Sequence, residues 1–161
     1  MQLTILVGTV HGNALSVAQA IQMSANDFSA TITVLPMDGL TMEVFDRPGA
    51  FLLCTSTTGS GDLPDNAQAL YHAMDAQARY LGHVHYGVIA LGDSSYGDTF
   101  CGGGKRFDER MQDLGAHPVG PMFCLDSLES AQPEEDALIW CSAWLPQLMS
   151  RIARNTEENM L

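Results

Sequence analysis

The 161 residues carry 19 acidic against seven basic side chains, a formal charge of −12, and such a field repels nucleic acid and anionic membrane surfaces while attracting basic proteins. No apolar run nears the ~20 residues that span a bilayer, and the N-terminus enters a strand without a charged region or cleavage site, so a cytoplasmic protein with neither a membrane nor a nucleic-acid partner is expected. The length suits one domain with a real hydrophobic core, read as residues 1–152, followed by a polar tail, 153–161, frayed from Asn155.

Leu3 to Val7 is a strand-forming run that enters Gly8-Thr9-Val10-His11-Gly12-Asn13, and from Ala14 the apolar spacing becomes Ala14, Val17, Ala18, Ile21. That is strand, tight loop, helix. Such a turn aims backbone N–H groups and the positive end of a helix dipole at one point, where an anion such as a phosphate is stabilised. It lacks the Gly-Lys-Ser/Thr of a nucleoside triphosphatase and the full Gly-x-Gly-x-x-Gly of a dinucleotide site.

Thr31 to Leu35 alternates polar and apolar, as an edge strand should. Leu40 to Phe45 can form a short helix before Arg47-Pro48-Gly49 breaks it. Ala50 to Cys54 is continuously apolar, the pattern of a central strand covered on both faces. The stretch Thr55 to Ala67 is far richer in hydroxyls and glycine than a plain connection requires. Ala69, Leu70, Ala73 and Met74 mark a helix expected to reach Leu81-Gly82.

A fourth strand, Tyr86 to Leu91, leads into the glycine-rich Gly92 to Lys105. Phe107, Met111 and Leu114 share one helical face, with Gly115 as its terminator. Met122 to Leu125 reads as the fifth strand, ending at Asp126. In the last helix Glu134, Glu135 and Asp136 stand at the start and Arg151 and Arg154 at the end, each sign complementing the dipole. Cys141, Leu145, Leu148 and Ile152 recur on one face, and Trp140 and Trp144, four apart, are read as packing residues. The four cysteines have no metal-ligand rhythm and read as free thiols of a reduced compartment. His83-x-His85 reads as an edge or core pair, since no third ligand is near in sequence.

Five alternations of strand and helix imply a parallel sheet wound on both faces, with any ligand at the carboxyl ends of the strands where their order reverses. The exposed alternation of strand 2 and the apolar run of strand 3 suit the order 2-1-3-4-5. Three long polar loops, after strands 1, 3 and 4, then meet at one edge.

Ser56-Thr57-Thr58-Gly59-Ser60-Gly61-Asp62-Leu63-Pro64-Asp65-Asn66-Ala67 resembles the Ser-Thr-aromatic-Gly-x-Gly-Asp-x-Pro-Asp-Asn-Ala segment of flavodoxin-like modules, those of the diflavin reductases and the MioC-type short flavodoxins. Leu91-Gly92-Asp93-Ser94-Ser95-Tyr96, then Phe100-Cys101-x-x-Gly104-Lys105-x-x-Asp108-x-Arg110 and Leu114-Gly115-Ala116, resemble the third segment of the same family. The resemblance covers nearly the whole chain. It implies a flavodoxin-like three-layer α/β sandwich, a five-stranded parallel sheet of order 2-1-3-4-5 with helices on both faces.

The same resemblance implies flavin mononucleotide (FMN) as cofactor. Thr9, Val10, His11, Gly12, Asn13 and Ala14 would wrap its phosphate. Ser56, Thr57, Thr58, Gly59, Ser60 and Gly61 would line one side of the isoalloxazine ring. Leu91, Gly92, Asp93, Tyr96, Phe100 and Cys101 would supply the other, with Tyr96 stacked on the ring and Asp126 nearby. In flavodoxins the peptide matching Gly59 turns its carbonyl toward flavin N5 on one-electron reduction, a change that glycine tolerates. Acidic surroundings oppose the negative charge that full reduction builds at N1, which lowers the potential of that step.

Three departures from the family pattern stand out. His11 occupies a position where relatives usually have Ser or Thr, Thr58 one where many have a stacking aromatic, and the gap from Tyr96 to Phe100 is one residue longer than in many relatives. Losing one aromatic wall weakens flavin binding by roughly 1–2 kcal/mol.

The function implied is one-electron transfer. Electrons would come from a separate, basic NAD(P)H-dependent reductase such as a ferredoxin/flavodoxin-NADP reductase, docked on Asp62, Asp65, Asp93 and Asp98, and pass to an acceptor enzyme. The alternatives are a flavin-dependent quinone or azo reductase, for which no segment offers a nicotinamide pocket, and a flavin-free regulatory module.

Overall fold

Strand β1 (Gln2–Gly8) is buried at every residue after Gln2 because it lies inside a sheet covered on both faces. The computed structural model describes residues 1–161. Strands β1, β2 (Thr31–Pro36), β3 (Ala50–Thr55) and β4 (His85–Gly92) are parallel and lie in the order β2-β1-β3-β4. Two short strands, β5 (His117–Pro118) and β6 (Phe123–Asp126), share the outer edge of β4. The order foreseen from the sequence is therefore present, with β2 at the edge.

The fifth strand differs in one respect: it is interrupted. β5 pairs with His85 and Tyr86, and β6 with Ile89 to Gly92. Pro118 and Pro121 have no N–H to give to a ladder, so the chain leaves the sheet between the two pieces and rejoins it at Phe123.

Side chains alternate across the sheet with the strand period of two. Leu3, Ile5 and Val7 of β1 join the layer under helices α1 (Asn13–Met23) and α4 (Pro133–Met160). Leu6 joins the opposite layer, with α2 (Asp65–Ala76), α3 (Gly102–Asp113) and the 3₁₀ turn Met42–Asp46. β3 and β4 divide in the same way: Phe51, Leu53, Val88 and Ala90 face the α3 side, while Leu52, Cys54 and Ile89 face the α1 side. The apolar spacing of α1 is fully used, since Ala14, Val17, Ala18 and Ile21 are its buried residues.

Two helix ends fall elsewhere than the sequence suggests. α2 stops at Ala76, because Gln77 and Ala78, which would continue its inner face, offer little apolar area. Arg79 instead ties the following segment to the Met42 carbonyl and the Asp46 carboxylate. At the other end α4 does not fray at Asn155 but continues to Met160. The Asn155 amide bonds the His85 ring at 2.7 Å, anchoring that turn to β4, so Arg151 and Arg154 are not in the last turn.

The tryptophans pack as expected. Trp144 is buried, donates its indole N–H to the Val119 carbonyl at 2.8 Å and stacks on Trp140, whose far face meets Phe123. His83 and His85 go separate ways: His83 bonds the Phe45 carbonyl and His85 stacks on His117. All four cysteines are free, with Cys124 the least buried. No helix is long and apolar enough to cross a membrane.

Candidate functional site

The loops that leave β1, β3, β4 and β6 at their carboxyl ends enclose a cavity of about 450 Å³. Val10, His11 and Asn13 come to it from the first loop, Ser56, Thr57, Thr58 and Gly59 from the second, and Leu91, Gly92, Asp93, Tyr96, Phe100 and Cys101 from the third. Asp126 joins them from the end of β6. These residues lie far apart in the chain, and the reversal of strand order between β1 and β3 is what lets their loops meet.

Five of the residues named from the sequence lie outside the lining. Thr9 gives its N–H to Asn66 and its hydroxyl accepts the N–H of Gly12, so both shape the first loop from within. Ala14 lies on the buried face of α1, Ser60 is exposed, and Gly61 packs against Gly102. Conversely, Thr99, Leu125, Ser127, Ser130 and Pro133 line the cavity without having been foreseen. Ser127 and Ser130 follow Asp126 and Pro133 opens α4, and the only hint was a short polar stretch rich in hydroxyls.

Side-chain hydrogen bonds hold the loops against each other. Asn66 accepts the Thr9 N–H at 2.8 Å and donates to the Val7 carbonyl and to Asp38, both at 3.2 Å. One amide thus joins the first turn of α2 to the first loop and to the end of β1. Asp126 accepts the N–H of Ser94 at 3.1 Å and that of Leu128 at 3.0 Å, joining β6 to the third loop. The Ser94 hydroxyl, followed by these backbone donors, holds the Asp126 carboxyl below its ordinary value, so it stays anionic.

The donor chemistry suits a phosphate-bearing aromatic ligand. No side chain caps α1, so the N–H groups of its first turn and the positive end of its dipole are free to meet an anion next to Val10, His11 and Asn13. No Lys or Arg lines the cavity, and a cradle of neutral donors can bind a phosphate dianion when it is preformed. Tyr96 is 55% exposed in the third loop, leaving a ring face for stacking. Thr58 turns its hydroxyl to the carbonyls of Asp62 and Leu63 and offers no aromatic surface from the second loop.

Comparison with known proteins agrees with this geometry. The sequence model of the family described as flavodoxin matches residues 5–140. Flavodoxin YqcA of Pectobacterium carotovorum subsp. carotovorum is 41% identical over 143 residues, 89% of this chain and 94% of the relative. The sulfite reductase [NADPH] flavoprotein alpha-component of Shewanella sp. (strain ANA-3) is 36% identical over 124 residues, 76% of this chain but 20% of that much longer protein. The solved structure of a C101S mutant of flavodoxin from Pseudomonas aeruginosa superposes with a TM-score of 0.83 at 41% identity, covering 92% of this chain and 99% of that one. The chain belongs to the flavodoxin family.

Proposed function

We propose that the four-loop cavity takes FMN and that the protein carries electrons singly from a separate NAD(P)H-dependent reductase to an acceptor enzyme. The observation that carries this reading is the uncapped start of α1 opening into the same cavity as the exposed ring of Tyr96. Val10, His11, Asn13 and the first turn of α1 would hold the phosphate. Tyr96 would stack on the ring, and Thr57, Thr58, Gly59 and Asp93 would border it. A bound flavin supplies the one-electron chemistry; the chain orients it, limits its contact with water and surrounds it with the carboxylates of Asp93 and Asp126. The relative named as a sulfite reductase [NADPH] flavoprotein component supports a nicotinamide-linked source of electrons.

Titration of the apoprotein with FMN, followed by quenching of flavin fluorescence, tests the first half. The expected result is saturation at one flavin per chain; a signal that stays unquenched through a large excess removes the reading. Mixing the loaded protein with NADPH alone tests the second half. A carrier stays oxidised until a reductase is added, whereas rapid bleaching by NADPH alone would mark an enzyme that takes hydride directly.

A further inference from the structure

Cys124 of β6 stands opposite Ala90 in the parallel ladder, and the Cys101 thiol, at the start of α3, bonds the carbonyl of that same Ala90 at 3.4 Å. Both side chains pack into the layer on the α3 side of the sheet, Cys101 wholly buried and Cys124 partly so. They are close enough there for the Cys101 S–H, turned away from the Ala90 carbonyl, to hydrogen-bond to a thiolate at Cys124. A proton lost from one therefore leaves a thiolate held by the S–H of the other.

The two are not equivalent. The bond from Cys101 lowers the Cys124 thiol to about 7 against the effect of burial, with Lys105 adding to the lowering. The same bond raises Cys101. Cys124 is also the more accessible, so it is the nucleophile of the pair and Cys101 the resolving partner. Cys54 and Cys141 are buried and pushed up to about 12, which leaves them unreactive.

We propose that Cys101 and Cys124 are a peroxide-sensitive modification site, at which the chain closes a reversible internal disulfide between the start of α3 and β6. The Cys124 thiolate attacks one oxygen of hydrogen peroxide, the O–O bond breaks, and hydroxide leaves and takes up the proton that Cys124 had released. The resulting sulfenic acid is attacked at sulfur by Cys101. The S–O bond breaks, and the departing hydroxide takes the Cys101 proton. Two thiols and one peroxide become one disulfide and two waters, with two electrons passing from the sulfurs to the peroxide. Because Cys101 also lines the cavity, the cross-link forms in its wall.

The test treats the full chain with a small excess of hydrogen peroxide, quenches it, unfolds it and counts thiols. Four are present before treatment. Two are expected afterwards, with a mass lower by two hydrogen atoms, a linked Cys101–Cys124 peptide and recovery of all thiols on reduction with dithiothreitol. Cys124→Ser should retain its three remaining thiols under the same treatment, and Cys101→Ala, which has lost the resolving partner, should add oxygen at Cys124 instead. Four surviving thiols in the unsubstituted chain, oxygen added at Cys124 without a linked peptide, or a link through any other pair would overturn the proposal. The measurement on the unsubstituted chain decides even if a variant fails to fold.

Discussion

The hydroxyl of Thr57 accepts the N–H of Gly103 at 3.1 Å, and a Cβ added at Gly103 would lie 2.6 Å from the Ser56 carbonyl oxygen. The start of α3 therefore sits directly against the loop after β3, at a separation only glycine permits. Gly103→Ala must push helix and loop apart and break that bond. A loss of roughly 2–3 kcal/mol is expected from the enforced shift, read as a lower denaturation midpoint in urea. An unchanged midpoint would show that the two elements yield freely.

From the first turn of α2, Asn66 holds both the first loop and the end of β1 with one amide. Asn66→Ala leaves the Thr9 N–H and the Val7 carbonyl without these partners, at about 1 kcal/mol for each bond. FMN affinity should fall about tenfold or more, since the loosened first loop must be ordered on binding. Equal dissociation constants for the variant and the parent would mean that the loop holds its shape by other contacts.

The two flanks of the cavity differ in aromatic content, and each side can be tested. Tyr96→Ala should weaken FMN binding by about 1 kcal/mol, roughly fivefold, through lost stacking. Thr58→Tyr should strengthen it by a similar factor by restoring a second ring. Titrations of both variants check this, and a tyrosine at 58 that leaves affinity unchanged would show that the second loop does not face the flavin.

Burial, then the nearby His117 and Arg151 charges, hold His85 below its ordinary value of 6.5. As pH falls, the unfolded chain takes up this proton before the folded one does. The stability that His85 contributes is therefore complete above about 6.5 and is lost as pH drops from there toward the lower folded value. Melting temperatures measured across that window should decline, and His85→Gln, which keeps a hydrogen-bonding side chain near Asn155, should flatten the decline. An identical slope in the variant would place the titration elsewhere.

Asp62, Asp65 and Asp98 are exposed, and Asp93 partly so, around the third and second loops. Asp62 already pairs with Arg106 at 3.6 Å, which leaves the other three to meet a basic reductase. The rate at which a reductase reduces the loaded protein should fall as ionic strength rises from about 0.01 to 0.15 M, because screening shortens the reach of these charges. Combined Asp65→Asn and Asp98→Asn should weaken that salt dependence. A rate indifferent to salt would argue for apolar docking.

Local order was legible in the sequence wherever one stretch carried its own period. Leu3 to Ile21 changes from a strand run to helical spacing within a few residues, and Phe107, Met111 and Gly115 state both the face and the end of α3. What failed depended on distant partners. Nothing near Asn155 announces that His85 will hold it, and a two-residue strand such as His117–Pro118 is too short to have a period at all. The cavity divided along the same line. Motif-bearing loops were found, while Ser127, Ser130 and Pro133 became visible only once β6 had brought the segment after Asp126 beside them. Thr9 and Gly12 sit in the right loop yet use their polar groups on each other.

The bonds of Asn66 and Asp126 tie the first and third loops to α2 and β6 within the protein itself. Folding therefore fixes the outline of the cavity before any guest arrives, and little conformational entropy is left for a ligand to remove. Empty and loaded forms should then share one backbone outline, and a cofactor could leave and return without the surrounding chain unravelling.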